Sequence, residues 1–226
     1  MTDSSERRFT VGQVEARANS DKRTIGGYAA KFNKPSQNLG GFVEFIDPKA
    51  FNRSKGDGWP DVMARYNHDD MWLLGTTQGR TLRLDTDDVG LLYDVDTPQA
   101  RADVYELVGR GDVNKSSFAF RVIGDQGDEW GLSEQNFPQR TLLSVQLVDV
   151  APVNTPAYLD TTTAVRRLAE RMHAPEDEVR KMSEAGDLTR FFRRTDTDSA
   201  GVPVYRKKTF GPAALMRIQQ LDKGSS

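Results

Sequence analysis

The chain has 226 residues, 37% hydrophobic and 28% charged, a composition with room for one good core, or one core and a tail. It has no cysteine and two histidines, His68 and His173, which excludes disulfides, thiol catalysis and thiolate metal sites and argues against a multi-histidine site. Net charge is −2 but uneven, −6 over residues 1–160 and +4 over 161–226, a contrast that fits either a tail for an acidic partner or a solvated helical face.

No apolar run approaches the roughly 20 residues that span a bilayer, and the opening Met-Thr-Asp-Ser-Ser-Glu-Arg-Arg lacks the apolar segment of a secretory signal. An intracellular location is expected. Phe9–Arg17 alternates loosely and reads as a strand, and Thr24–Phe32 as a second, with Gly26 and Gly27 marking a bulge or a close backbone approach. Phe42–Ile46 is a short apolar strand, and Asp47-Pro48 signals a helix start through Ala50 and Phe51. Asp61–Tyr66 is a strand running straight into Asn67-His68-Asp69-Asp70. Thr81–Asp85 and Val89–Val95 flank a polar turn and form a hairpin. Thr97-Pro98 opens a helix carrying Ala100, Val104, Leu107 and Val108, ended by Gly109 and Gly111.

Val113–Ile123 is the strand on which the chemistry turns. Phe118, Phe120 and Val122 alternate and point into a core, so Ser117, Ala119 and Arg121 lie on the opposite face with Lys115. A glycine-rich acidic connection, Gly124–Gln139, leads to the strand Arg140–Val150 and a long hairpin with the Ser117 strand. Pro152–Pro156 closes the domain. Beyond Tyr158 the texture is polar and helical: Ala164–Met172, a second helix from Pro175, then Leu188–Arg194, a polar flexible stretch at Thr195–Val202, and a last helix at Pro212–Leu221. Seven or so strands with two clear helices point to an α+β chain, mostly β, as an antiparallel barrel with peripheral helices.

A hydroxyl needs a base before it attacks, and histidine is the usual one near neutral pH. His173 sits in the polar tail; His68 sits at a strand end, either as a turn residue in a polar cluster or as the base for Ser117. An orienting acid completes such a site. Leu143, Val145, Leu147 and Asp149 alternate along the last strand, so Asp149 extends an apolar row, where a carboxylate is costly unless partnered. A strand-end aspartate leaving the core is the ordinary alternative. Asp85, Asp87 and Asp88 are a turn cluster or a cation site. Arg110 and Arg121 are surface charges or oxyanion donors. There is no Gly-x-Ser-x-Gly elbow.

Seven segments in order, Gly27-Tyr-Ala-Ala-Lys-Phe-Asn33, Phe42-Val-Glu-Phe-Ile-Asp-Pro-Lys-Ala-Phe51, Asn67-His-Asp69, Leu74-Gly-Thr76, Arg110-Gly-Asp-Val113, Ser117-Phe-Ala-Phe120 and Pro156-Ala-Tyr158, resemble the prohead proteases of tailed bacteriophages, a family related to herpesvirus assemblin. The resemblance covers about residues 20–160. It implies an assemblin-like β-barrel surrounded by helices, and a serine endopeptidase with His68 as base, Ser117 rather than Ser116 as nucleophile and Asp149 as third member, where glutamate is more usual. Ala119 stands where the family has glycine. It further implies that the enzyme needs no cofactor or metal. Its partners would be the major capsid protein with its scaffold segment and the protease itself, as self-cleavage substrate and homodimer, with no nucleic acid or membrane. The place of action would be the immature procapsid in the host cytoplasm. Residues 1–160 form the catalytic domain on this reading, and 161–226 a basic tail for delivery. Two other readings stay open: a catalytically idle barrel module in shell assembly, and a metal-dependent hydrolase built on His68 and nearby aspartates.

Overall fold

The computed structural model describes residues 5–10, 14–19, 22–154, 162–197 and 203–207. The Pro156-Ala-Tyr158 motif and the helix expected at Pro212–Leu221 lie outside them. In chain order the strands are β1 (Glu6–Thr10), β2 (Val14–Asn19), β3 (Lys22–Lys31), β4 (Val43–Ile46), β5 (Met63–Arg65), β6 (Leu73–Thr76), β7 (Leu82–Thr86), β8 (Gly90–Asp96), β9 (Lys115–Val122), β10 (Asp128–Leu132), β11 (Pro138–Leu142), β12 (Val145–Val153), β13 (Arg193–Thr197) and β14 (Pro203–Lys207). The α-helices are α1 (Asn52–Gly56), α2 (Ala102–Gly109), α3 (Thr162–Met172) and α4 (Glu176–Glu184).

Among the described residues the strands form four sheets, ordered β1-β9-β12-β5-β6, β2-β3-β8-β7, β10-β11-β4 and β13-β14. The chain is thus mostly β with a few helices, as its alternation predicts. The barrel is corrected: among the described residues no sheet closes on itself. Closure requires the two edge strands of one sheet to pair, and here β1 and β6 remain edges of the first sheet and β2 and β7 of the second. Alternation marks strands without saying which of them become neighbours.

Two compact units emerge, the first from the described residues of 1–36, 44–129 and 141–164, the second from those of 37–43, 130–140 and 165–226. In the first, one core gathers Phe118, Phe120 and Val122 of β9 and Val150 of β12 with Ile25 of β3 and Leu91, Tyr93 and Val95 of β8. The five- and four-stranded sheets therefore pack as two layers over shared apolar faces. Gly75 of β6 permits their close approach, since a Cβ there would lie 2.6 Å from Val95 Cγ2. In the second unit Phe42 and Trp130 pack with ring centroids 4.8 Å apart, and α3 and α4 bury Leu168, Ala169 and Val179.

Several expectations change in detail. The strand expected over Phe9–Arg17 is two strands, β1 and β2, in different sheets. The one expected over Arg140–Val150 is β11 followed by β12, and the supposed connection contains β10, which pairs with β11. The stretch from Thr195 begins inside β13, which pairs with β14. Thr97 does not cap α2; its hydroxyl donates to the Arg23 carbonyl at 2.8 Å. The hairpin of β7 and β8 is present, its turn closed by Asp87 Oδ1, which accepts from the amides of Val89 and Gly90. Buried Ser54 of α1 donates to the Val145 carbonyl (3.0 Å) and accepts from the Leu147 amide (3.2 Å), anchoring the start of β12.

Candidate active site

β9 lies between β1 and β12, so its backbone is held on both sides. Phe118 and Phe120 enter the core as their spacing predicts, stacked with centroids 5.2 Å apart. Ser117 is left on the other face. Its neighbour Ser116 turns the opposite way and is wholly buried, its Oγ 3.1 Å from the Tyr93 hydroxyl. Burial pushes the Tyr93 hydroxyl well above its ordinary range, so it stays protonated. That pair belongs to the packing between sheets.

The Asn67-His68-Asp69 motif divides into three tasks. β5 runs parallel to β12, with Met63 opposite Asp149, so the end of β5 is delivered beside the last strand. There the chain turns sharply, with Asn67 and His68 both left-handed at φ 54° and 59°. Asparagine tolerates that conformation; histidine does so at some cost, and such strain concentrates at functional sites. Asn67 Oδ1 accepts from the Asn154 amide at 3.1 Å, tying the turn to the end of β12. Asp69 accepts from the Met71 amide at 2.9 Å and caps the following 3₁₀ turn. His68 between them is free to aim inward.

Asp149 reaches the same place through a β-bulge. Leu147 pairs with Phe120 and Asp149 with Ala119, so Val148 is an extra residue on β12. Cross-strand partners share a face. Leu147 therefore stays on the core face while Asp149, two residues on, joins Ala119 and Ser117. The expectation that Asp149 continues the apolar row is corrected: the bulge inverts the alternation and re-aims the carboxylate. Ala119, the small residue opposite, leaves the space it occupies.

The structure brings all three expected residues together. His68 Nε2 lies 2.6 Å from Ser117 Oγ, and His68 Nδ1 lies 2.7 Å from Asp149 Oδ1. A carboxylate only accepts, so Nδ1–H donates to Asp149 and the Nε2 lone pair faces the hydroxyl. That tautomer can take a proton from Ser117. Ser117, His68 and Asp149 are 1%, 5% and 2% exposed. Arg65, at the end of β5, was not singled out from sequence; its Nε sits 3.1 Å from Asp149 Oδ2 and its Nη1 pairs with Asp70. The Nε–H misses the hydrogen-bond direction, so the Asp149 contact is an ion pair. Alternation puts Arg65 on the same face as Met63, but that Met63 is the partner of Asp149 shows only in the folded sheet. Ser117 Oγ also lies 2.8 Å from the carbonyl of Arg8, a second acceptor for its single proton beside His68 Nε2, because β1 pairs antiparallel with β9.

The other sequence candidates lie apart from this trio. Arg110 pairs with Asp112 at 3.0 Å. Arg121 stands on β9 opposite Gln146. Asp85 pairs with Lys55 at 2.6 Å and Asp87 accepts from the Tyr28 hydroxyl, contacts that hold both carboxyls below their ordinary range. His173 follows α3 with φ 51°. Both nitrogens of His68 are engaged, Asp69 serves the 3₁₀ turn and Asp70 pairs with Arg65. Among the described residues no group of three or more potential ligands gathers to hold a metal.

Residues 11–175 match the family model described as caudovirus prohead serine protease. The chain belongs to that family. The match contains His68, Ser117 and Asp149 and begins just after β1. Prohead serine proteases act in phage capsid maturation, which is the setting this membership gives the chain. The solved structure of the bacteriophage T4 capsid assembly protease is similar at 10% identity with a TM-score of 0.45, covering 68% of this chain and 97% of that one, a likeness too loose to carry an argument. No curated protein matches this chain.

Proposed function

We propose that this prohead protease is a serine endopeptidase that cleaves the scaffold or N-terminal segment of the major capsid protein, and itself, inside the immature procapsid in the host cytoplasm. The observation that carries the reading is the line Asp149–His68–Ser117, with contacts of 2.7 and 2.6 Å. His68 Nε2 takes the Ser117 proton as Oγ attacks the scissile carbonyl carbon. The tetrahedral adduct collapses, the C–N bond breaks, and His68 returns the proton to the leaving amine. Water then hydrolyses the acyl-enzyme by the same route. Asp149 holds the imidazole tautomer, and Arg65 braces Asp149.

Ser117→Ala is expected to lower processing of capsid protein by about 10⁴-fold or more, read by gel and mass spectrometry of the products. Ser116→Ala is expected to retain processing, since that hydroxyl faces Tyr93. Wild-type processing by Ser117→Ala would sink the assignment. The idle-module reading requires that a fluorophosphonate fail to label Ser117 while shells still assemble. Residues 1–160 carry catalysis on this proposal, and the basic segment 161–226 serves delivery, as a capsid tether or a piece shed by self-cleavage. Deletion of 161–226 tests this: peptide cleavage should persist while packaging into shells falls, and loss of cleavage in a well-folded truncation would contradict it.

A further inference from the structure

The contact between Ser117 and β1 has a second half. Arg8 carries the carbonyl that Ser117 Oγ meets, and its side chain is almost wholly buried. Arg8 Nε donates to Glu44 Oε1 at 2.8 Å and Nη2 to Glu44 Oε2 at 3.1 Å, a two-point grip by one carboxylate. Nη2 also reaches Glu6 Oε2 at 2.7 Å, and the guanidinium stands 5.6 Å from the centroid of the Phe120 ring. Glu44 belongs to β4, Phe120 to β9 and Glu6 to β1 itself. If β1 leaves, Glu6 leaves with it, and Glu44 and Phe120 stay.

A protease must admit an extended peptide to its nucleophile, and Ser117 is 1% exposed. In the sheet, the neighbours of β9 are β12 and β1. β12 carries Asp149 and is fixed. β1 is a five-residue edge strand outside the family match. A substrate strand can therefore add to β9 where β1 lies, using the same backbone ladder, as peptides commonly add to a vacated sheet edge. In that register β1 is a substrate-like strand, and Arg8 supplies the residue whose carbonyl faces the nucleophile.

Resting on the protease reading, we propose that Glu44 is a specificity-determining residue that selects arginine or lysine at the substrate residue whose carbonyl faces Ser117, with the Phe120 ring as the flat wall of the same pocket. A carboxylate gripping a guanidinium at two points in a dry site discriminates strongly, because an acidic side chain there meets like charge without solvent to screen it. Arg8 holds that pocket in this structure.

The test uses the full chain carrying Arg8→Glu, which sets a third carboxylate beside Glu6 and Glu44 and drives β1 off. Peptidyl diphenyl phosphonates with an arginine-like, leucine-like or glutamate-like terminal side chain phosphonylate the serine, Oγ displacing phenol, and intact-mass spectrometry follows the rate. The arginine-like probe is expected to label Ser117 at least about tenfold faster than the glutamate-like one. Glu44→Gln should bring the two rates near parity, and Glu44→Lys should reverse their order. The same ratio is read on the chain with native Arg8 over longer labelling, so the result does not depend on one variant folding. Equal labelling by all three probes, or an order unchanged in Glu44→Lys, overturns the proposal. A plain fluorophosphonate is run beside them: labelling by it without preference among the three leaves the protease standing and removes the pocket. Failure of every probe, the plain one included, removes both.

Discussion

At the scale of single residues, the site depends on which nitrogen of His68 carries the proton. Asp149 decides that by accepting from Nδ1, and an amide in its place can present its N–H₂ to Nδ1 and favour the opposite tautomer. Asp149→Asn is therefore expected to lower kcat by about 10⁴-fold with little change in KM, measured on a peptide substrate with the folded state checked by circular dichroism. A loss below tenfold would show that the imidazole is held by something else. The size of residue 119 matters for the same reason. Asp149 stands opposite Ala119, so Ala119→Gly should keep activity within a few-fold, while Ala119→Leu overfills the space, costs about 1–3 kcal/mol of stability and abolishes cleavage. Ser117 and His68 were visible in the sequence as candidates, one suggested by the alternation of Phe118, Phe120 and Val122, the other by its scarcity, and the resemblance to prohead proteases selected them. Arg65 was not, because no periodicity says which arginine will lie beside a carboxylate 84 positions further on.

Between elements, what could be read and what could not divides along pairing. Single strands show in the spacing of apolar residues, and the β7–β8 hairpin shows because its partners are adjacent in sequence. The bulge at Val148 does not show, because a one-residue insertion is visible only against the partner strand. Without it, period-two counting sends Asp149 to the wrong face. The barrel expectation fails for the same reason: closure is a property of neighbours. Polar ties between elements are open to direct test. Asp96 of β8 accepts from both Arg83 Nη atoms, at 2.9 and 2.8 Å, from Lys22 at 3.1 Å and from Thr24 at 3.0 Å, linking β3, β7 and β8. The Arg83 contact, first among these, holds the Asp96 carboxyl far below its ordinary range. A carboxyl depressed in the folded state adds stability above its unfolded pKa and loses it as pH falls toward the folded value. Asp96→Asn should thus lower stability by about 1 kcal/mol at pH 7, a modest figure because Arg83 and Lys22 are half-exposed or more. The gap between variant and native chain should begin to shrink below about pH 4, and urea unfolding at pH 7 and at acid pH reads both values. A gap that widens on acidification would contradict the ion-pair account.

For the molecule taken whole, the trio stands assembled and covered at once. Its parts come from β9, β12 and the turn after β5, all in the first compact unit and all backed by one core, so the site should survive any motion that leaves that core intact. What covers Ser117 is different in kind. β1 pairs with one strand of its sheet, β9, and is tied outside that sheet by the contact of Arg8 with Glu44 of β4, whereas β9 and β12 are held from both sides. An edge strand laddered on one side only opens at a lower free energy than the core behind it. Exposure of Ser117 should therefore precede global unfolding. In rising urea, fluorophosphonate labelling of the wild-type chain is expected to climb while tryptophan fluorescence still reports the native state, and to depend on urea less steeply than unfolding does, because releasing one short strand exposes less surface than releasing the core. Arg8→Gln, which weakens the grip on Glu44 without adding charge, should shift the labelling curve to lower urea and leave the fluorescence midpoint nearly unchanged. Labelling that stays at baseline until the fluorescence transition, in both proteins, would mean that β1 and the core open as one unit, and that access to Ser117 is gained by some route other than the departure of β1.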